Sequence, residues 1–316
     1  MKRYLCTYFD KNYLLRGLAL HHSLLSNIND FNLWILCMDD ETYNILQKLN
    51  LEKVILIRLS QFEDEELKKI KPKRKISEYC WTCTPSLPLY ILKNNPKLDM
   101  IAYIDADMYF YSSPDEIYNE FGQNSIMIIP HRFSDDQMFR EKTSGIYNVG
   151  MLIFRNDTYA LECLEWWRNK CLEWCFDYYE DGKLGDQLYL NDWPILFKNV
   201  CTLKNHGVDV ASWNILRYIV TEDESNIYLQ EKSSRIKWSL ILYHFHGIDI
   251  YNFFRKIKII SRKKLPKESQ KIIYGKYEKT LTDMKKLTGQ ISNLPNLYNL
   301  ESWSIYIMKR IKNIII

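Results

Sequence analysis

Met100-Ile-Ala-Tyr-Ile-Asp105-Ala-Asp107-Met-Tyr-Phe110 is a short apolar run that ends in two carboxylates one residue apart. Residues 100–104 combine apolar and β-branched side chains over strand length, the pattern of a buried strand in a parallel sheet. Ligands of such sheets bind beyond the carboxyl ends of the strands. If the segment stays extended, side chains alternate between faces, so Asp105 and Asp107 point the same way and their oxygens can converge on one hard cation. The alternative is a pair of solvated loop carboxylates, since an isolated D-x-D arises about once by chance in a chain of ordinary charge content. This pair follows a buried strand rather than lying in a run of charge.

Working outward, residues 4–7 read as a first strand, 13–25 as an amphipathic helix, 32–38 as a second strand, 41–49 as a helix and 54–58 as a third strand. Residues 63–74 form a charged connection, and 76–92 read as one helix running through Pro85 and Pro88. Beyond the D-x-D, residues 115–121 suit a short helix, 125–130 and 149–154 strands, and 159–175 an aromatic-rich helix, while 182–193 open another short helix. Strands alternating with helical patterns indicate βαβ units. The expected class is therefore α/β, with a mixed, mostly parallel central sheet flanked by helices.

At 316 residues and 47% apolar composition, the chain can bury a full core, most simply one α/β domain with a smaller appendage. No secretory h-region or long membrane span is present, which predicts a cytoplasmic protein. The eight cysteines lie in apolar or aromatic surroundings, as reduced buried thiols do. Cys80-Trp-Thr-Cys83 has redox spacing, but no second pair with zinc-like spacing follows it, so a structural role is expected.

The net charge of +4 hides an asymmetry: residues 1–253 hold 28 basic and 35 acidic side chains, and residues 254–316 hold 15 and 4. The expected division is a body, 1–253, and a basic amphipathic helical appendage, 254–316. In the appendage, Arg255-Lys256-Ile-Lys258-Ile-Ile-Ser-Arg262-Lys263-Lys264 alternates cationic and apolar side chains, and Trp303 to Ile316 adds an aromatic and aliphatic face. Such a region can hold a protein to an anionic membrane surface. The competing reading is a helical subdomain that packs its apolar stripe on the body and leaves its charges solvated.

Four further stretches carry chemistry. Thr7-Tyr8-Phe-Asp10-Lys-Asn12-Tyr13 offers aromatic faces on which a planar base could stack, at Tyr8 or Tyr13, with Asp10 or Asn12 at its edge. The same residues also suit an ordinary helix start with Asp10 as its cap. In Tyr147-Asn148-Val-Gly150, Asn148 could bond a hydroxyl and the glycine admit a ligand close to the backbone, or the segment could be a plain turn before a strand. Asp186 and Gln187, after Gly185, could face a substrate hydroxyl or cap a helix. Finally, in Tyr243-His244-Phe-His246-Gly247, either imidazole could complete a carboxylate-bound divalent site if the run is extended, and paired histidines also stack structurally.

Together these motifs, D-x-N-Y at 10–13, D-x-D at 105–107, N-x-G at 148–150, D-Q at 186–187 and H-x-x-G at 244–247, resemble those of the metal-dependent GT-A glycosyltransferases, especially glycosyltransferase family 8. They recur in the family's order over about residues 4–250. The strings Pro130-His-Arg-Phe133, Tyr147-Asn-Val-Gly150, Gly185-Asp-Gln187, Asp192-Trp-Pro194 and His244-Phe-His-Gly247 are also similar to uncharacterised transferases of bacterial surface-polysaccharide clusters.

The resemblance implies a GT-A fold and a hexosyltransferase that uses a nucleotide sugar, a UDP-sugar, and a glycan or lipid-linked acceptor, with no nucleic-acid partner. It implies Mn²⁺ or Mg²⁺ on Asp105, Asp107 and His244. Thr7, Asp10, Asn12 and Tyr13 would face the uracil, Ala106 and Asp107 the ribose and phosphates, and Asn148, Asp186 and Gln187 the donor sugar. Asp186 or Gln187 would then act catalytically on developing positive charge. Family 8 implies retention of configuration, whereas an inverting relative would need a carboxylate base such as Asp186. One departure is that the family's Lys-Pro-Trp element is missing, since Gly247 is followed by Ile-Asp-Ile-Tyr251; Arg255 or Lys256 is expected to neutralise phosphate instead. Two other functions compete: a nucleotidyltransferase, which needs a Gly-rich basic loop after the first strand, and a non-catalytic carbohydrate- or membrane-binding protein.

Overall fold

The computed structural model describes residues 2–253 and 256–290. Its strands begin with β1 (Arg3–Phe9), β2 (Phe31–Cys37), β3 (Val54–Arg58), β4 (Met100–Ile104), β5 (Met108–Phe110), β6 (Ile126–Pro130), β7 (Tyr147–Arg155) and β8 (Val200–Thr202). Seven of them form one sheet in the order β3-β2-β1-β4-β7-β6-β8. The pairs among β1 to β4 and the pair β6–β8 are parallel, whereas β7 runs antiparallel to both its neighbours. The expected mixed, mostly parallel sheet is observed.

Every residue of β4 is buried. Ala102 and Ile104 join the apolar layer with Leu18 and Leu24 of the helix Leu14–Asn27, and Ile101 and Tyr103 join the opposite layer with Leu87 and Leu164. A strand covered on both faces carries no polar alternation, which is why the run reads as continuously apolar.

Several helices start where an aspartate satisfies a free backbone N–H: Asp39 accepts from Thr42, Asp64 from Leu67, and Asp157 from Ala160. Asp64 places a helix, Glu65–Ile70, inside the stretch read as connection. The single helix expected over 76–92 is two, Ile76–Cys83 and Ser86–Asn94, because Pro85 offers no N–H to continue the first. Pro88 is tolerated in the first turn of the second. Residues 182–193 form only a 3-10 turn, Leu188–Asp192, followed by Trp193–Leu196.

After β8 come β9 (Val210–Ala211), β10 (Tyr218–Glu222), β11 (Ile227–Glu231), β12 (Lys237–Ser239) and β13 (Leu242–His244), and β9 and β13 join β5 in a small second sheet, ordered β5-β13-β9, at the end of β4. His244 is in register with Met108 on one side and Ala211 on the other.

Downstream, β14 (Ile248–Phe253) and β15 (Lys256–Ser261) form an antiparallel hairpin, so the division anticipated between 253 and 254 falls between two paired strands. Ile257 and Ile259 of β15 and Tyr277 and Leu281 of the helix Gly275–Gly289 share one core with Leu15 and Ala19. Lys258 pairs with Glu278 at 2.7 Å and Arg262 with Asp249 at 2.8 Å. The alternation read as a membrane-facing surface is therefore, over residues 256–261, a strand with its apolar side inward. Trp303 to Ile316 lie outside the described residues. Among the described residues, no helix is long and apolar enough to cross a membrane.

Candidate active site

A cavity of about 690 Å³ opens beyond the ends of β1 and β4, where open α/β sheets bind ligands. Tyr8, Asp10, Asn12 and Tyr13 line one side, Asp105, Ala106, Asp107, His244 and His246 the floor, and Asn148, Asp186 and Gln187 the far side.

Asp105 and Asp107 do not lie in extended chain. They occupy a turn between β4 and β5, closed by Met108 N donating to Asp105 O at 3.1 Å. Their carboxylates still converge: Asp107 Oδ1 lies 3.2 Å and Asp105 Oδ2 3.6 Å from His244 Nε2. The small sheet produces this meeting, since Phe245 N donates to Asp107 O at 2.9 Å alongside the β5–β13 pairing. Ligand atoms of Asp107, His244 and His246 all lie within 4.8 Å of one another. Asp105 is held by the Tyr103 hydroxyl, which donates to Oδ1 at 2.6 Å. On the other edge of the His244 ring, Nδ1 faces Oδ1 of the fully buried Asp209 at 3.2 Å.

The electrostatics fit a cation site. Burial raises the Asp105 carboxyl. Burial also opposes charge on Asp107, but the charge and hydrogen bond of His244 outweigh it and hold that group below the usual range. Burial disfavours the His244 imidazolium, yet Asp107 and then Asp209 raise it well above an ordinary histidine. His246, solvent-exposed as a residue, has its ring against Trp213 and His244, and loss of solvation followed by the charge of His244 lowers it to about 4. Carboxylate oxygens and imidazole nitrogens at this spacing can hold a divalent ion.

On the β1 side of the cavity, Asp10 accepts from the backbone N–H groups of Asn12 (3.0 Å) and Tyr13 (3.3 Å), capping the 3-10 turn Lys11–Tyr13, and from Asn12 Nδ2 at 2.8 Å. Cap and cavity wall are thus the same residue. The Arg16 guanidinium covers the Tyr13 ring at 4.4 Å, and the Tyr8 hydroxyl meets Thr84 Oγ1 at 3.0 Å. Thr7 is not brought to the cavity: it points into the core, fully buried.

On the far side, Asn148 and Gly150 lie within β7 rather than in a turn before it. Asn148 Nδ2 donates to Gln187 Oε1 at 3.1 Å, its Oδ1 accepts from Gly150 N at 2.7 Å, and Gln187 Nε2 donates to Ser144 O at 2.6 Å. A Cβ on Gly150 would stand 2.4 Å from Asn148 Oδ1 and 2.9 Å from His244 Nδ1. The glycine admits these two side chains, not a ligand. Asp186 is no helix cap either: the following 3-10 turn starts after Gln187 without a side-chain cap. Its peptide oxygen accepts from Trp167 Nε1 at 2.8 Å. Its carboxyl is buried beside Thr84, and burial pushes it up to about 7.

The cavity also takes His131, from the string Pro130–Phe133, and three residues to which no site role was given, Trp81, Arg140 and Trp213. Of the expected phosphate partners, Lys256 is exposed and outside the cavity lining, and Arg255 lies outside the described residues. Asp209 left one trace in the sequence, a lone carboxylate between Val208 and Val210.

A sequence model described as glycosyl transferase family 8 matches residues 5–249. The chain is 34% identical over 284 residues to the uncharacterised protein YfnF of Bacillus subtilis strain 168, covering 87% of this chain and 90% of that one. It is 32% identical over 246 residues to YfnD of the same organism, covering 77% of each. Among solved structures, the galactosyltransferase LgtC in complex with donor and acceptor sugar analogues aligns with a TM-score of 0.54 at 14% identity, over 93% of this chain and 98% of that one. That likeness is one of fold, the GT-A fold.

Proposed function

The chain belongs to glycosyltransferase family 8, and from that premise we propose that it moves a hexose from a UDP-sugar to a glycan or lipid-linked acceptor in surface-polysaccharide synthesis, with retention of configuration and with Mn²⁺ or Mg²⁺. The observation that carries this reading is the convergence of Asp105, Asp107, His244 and His246 on the floor of one cavity whose two ends differ in chemistry.

Asp107 and His244 would hold the ion, with Asp105 and His246 within reach. Bound there, the metal supplies Lewis-acid stabilisation of charge on the leaving diphosphate. Tyr103 orients Asp105, and Asp209 orients His244. At one end Asp10, Asn12 and Tyr13 face the base, with Ala106 beside the ribose. At the other end Asn148 and Gln187 bond to each other and shape the wall around the sugar. Asp186, once ionised, stabilises positive charge developing at the anomeric carbon. The turn after β1 carries a capping carboxylate rather than a Gly-rich basic loop, which disfavours a nucleotidyltransferase.

Calorimetric titration with UDP in the presence and absence of Mn²⁺, followed by assay of UDP release from UDP-hexoses, tests the reading. Metal-dependent UDP binding and turnover are expected. Binding of glycans alone, with no response to UDP and metal, would leave the non-catalytic alternative. We place action at the cytoplasmic face of an anionic membrane, and with the apolar side chains of β15 directed inward, Trp303 to Ile316 are the part of the appendage 254–316 assigned to that contact. Deleting them should abolish salt-sensitive sedimentation with anionic vesicles; unchanged sedimentation rejects the assignment.

A further inference from the structure

Among the described residues, the cavity is lined by five carboxylates, Asp10, Asp105, Asp107, Asp177 and Asp186, and by a single permanently charged cation, Arg140. A nucleoside diphosphate entering such a site brings further negative charge, so a metal alone would work against an acidic wall. Most arginines of the fold are anchored: Arg16, Arg132 and Arg155 bond backbone oxygens. Arg3, Arg58, Arg168, Arg217 and Arg262 are each held by a carboxylate. Among the described residues no carboxylate pairs with the Arg140 guanidinium, which stands 5.7 Å from the centre of the Phe133 ring.

The mounting of this arginine ties it to the site. It ends the 3-10 turn Asp135–Arg140, and Phe133 just before that turn stacks on His131 at 4.5 Å and 13°, the histidine that meets the Asn148 amide. A second cation reaches the same turn: Lys263, after β15, donates through Nζ to Gln137 Oε1. Burial, then the charge of Arg140, makes Lys263 less basic. A cavity-lining guanidinium with no paired carboxylate among the described residues, and a second cation behind the turn that carries it, are arranged to receive an anion. The basic cluster 262–264 is thereby divided, Arg262 serving the hairpin through Asp249 and Lys263 the turn that Arg140 ends, through Gln137.

We propose that Arg140, supported by Lys263, binds the diphosphate of the donor, taking the part that the segment after Gly247 leaves unfilled. This assignment rests on the nucleotide-sugar reading above. The test is calorimetry on the full chain with Mn²⁺ in cell and syringe, using UDP, inorganic pyrophosphate and uridine as probes. Arg140→Met should weaken UDP and pyrophosphate by about 10- to 100-fold, the scale of charge-assisted hydrogen bonds, and leave uridine binding and the melting temperature unchanged. Arg140→Lys should recover only part, because an ammonium lacks the bidentate fork, and Lys263→Met should give a smaller loss of the same kind. Equal UDP affinity in wild type and Arg140→Met overturns the assignment and leaves the nucleotide-sugar reading standing. Pyrophosphate binding that depends on Arg140 supports it even where UDP fails to bind and the donor reading falls. A wild type that binds neither probe overturns both.

Discussion

The two nitrogens of His244 have different neighbours, and the difference sets their work. Nδ1 meets Asp209 at 3.2 Å, while Nε2 looks onto Asp107 and Asp105. A carboxylate behind an imidazole fixes its tautomer and sharpens its basicity towards a metal. Asp209→Asn should therefore weaken Mn²⁺ binding by about 10- to 100-fold, measured by calorimetry; an affinity within a factor of about two of wild type, judged against that range, would remove Asp209 from this role. The role proposed for Asp186 predicts a pH dependence. Its carboxyl, raised to about 7 by burial, is protonated below that pH and ionised above it. Only the anion can oppose positive charge at the anomeric carbon, so kcat at saturating metal should climb as pH rises through 7 and level off beyond it. Asp186→Asn should lower kcat more than it changes KM and remove that limb. A limb that survives the substitution belongs to another group.

At the scale of elements, β7 joins the two halves of the cavity. Gly150 leaves space that Asn148 and His244 both use, and Gly150→Ala forces the two apart. Overpacking of this kind costs about 1–3 kcal/mol, so the variant should melt earlier and also lose metal affinity. Loss of stability with metal binding intact would show that His244 tolerates the shift. Local elements of this sort were legible in the sequence to unequal degrees. The apolar run of β4 and the Asp10 cap declare themselves within a few residues, and both were readable. The turn that carries Asp105 and Asp107 was not, because it is set by the pairing of β5 with β13, a partner far along the chain. Pro85 carried its own message, that no helix passes through it, and the periodicity on either side masked it. Asn148 was legible as a polar group near the site, but its partner Gln187 was recognised only as a neighbouring motif, since spacing does not report which loops meet.

At the scale of the molecule, the C-terminal helix belongs to the site's foundations. Tyr277 stacks on Phe245 at 3.7 Å and 7°, one residue from His244, and meets Tyr109 edge-on at 5.5 Å. Arg140 and Lys263 likewise draw on segments on either side of the division read from charge, which separates composition but not packing. The sheet β5-β13-β9 has a further consequence, in time rather than in space. Its three strands come from distant parts of the chain, and contacts between remote segments form slowly because their loops must close first. The metal affinity proposed for this site should therefore arrive late in folding. Trp213, edge-on to His244 at 5.2 Å, can report it. During refolding with Mn²⁺ present, quenching of tryptophan fluorescence by the paramagnetic ion should lag behind the recovery of helical circular dichroism. If the two signals rise together, the site is built early, and the chain folds around its ion rather than towards it.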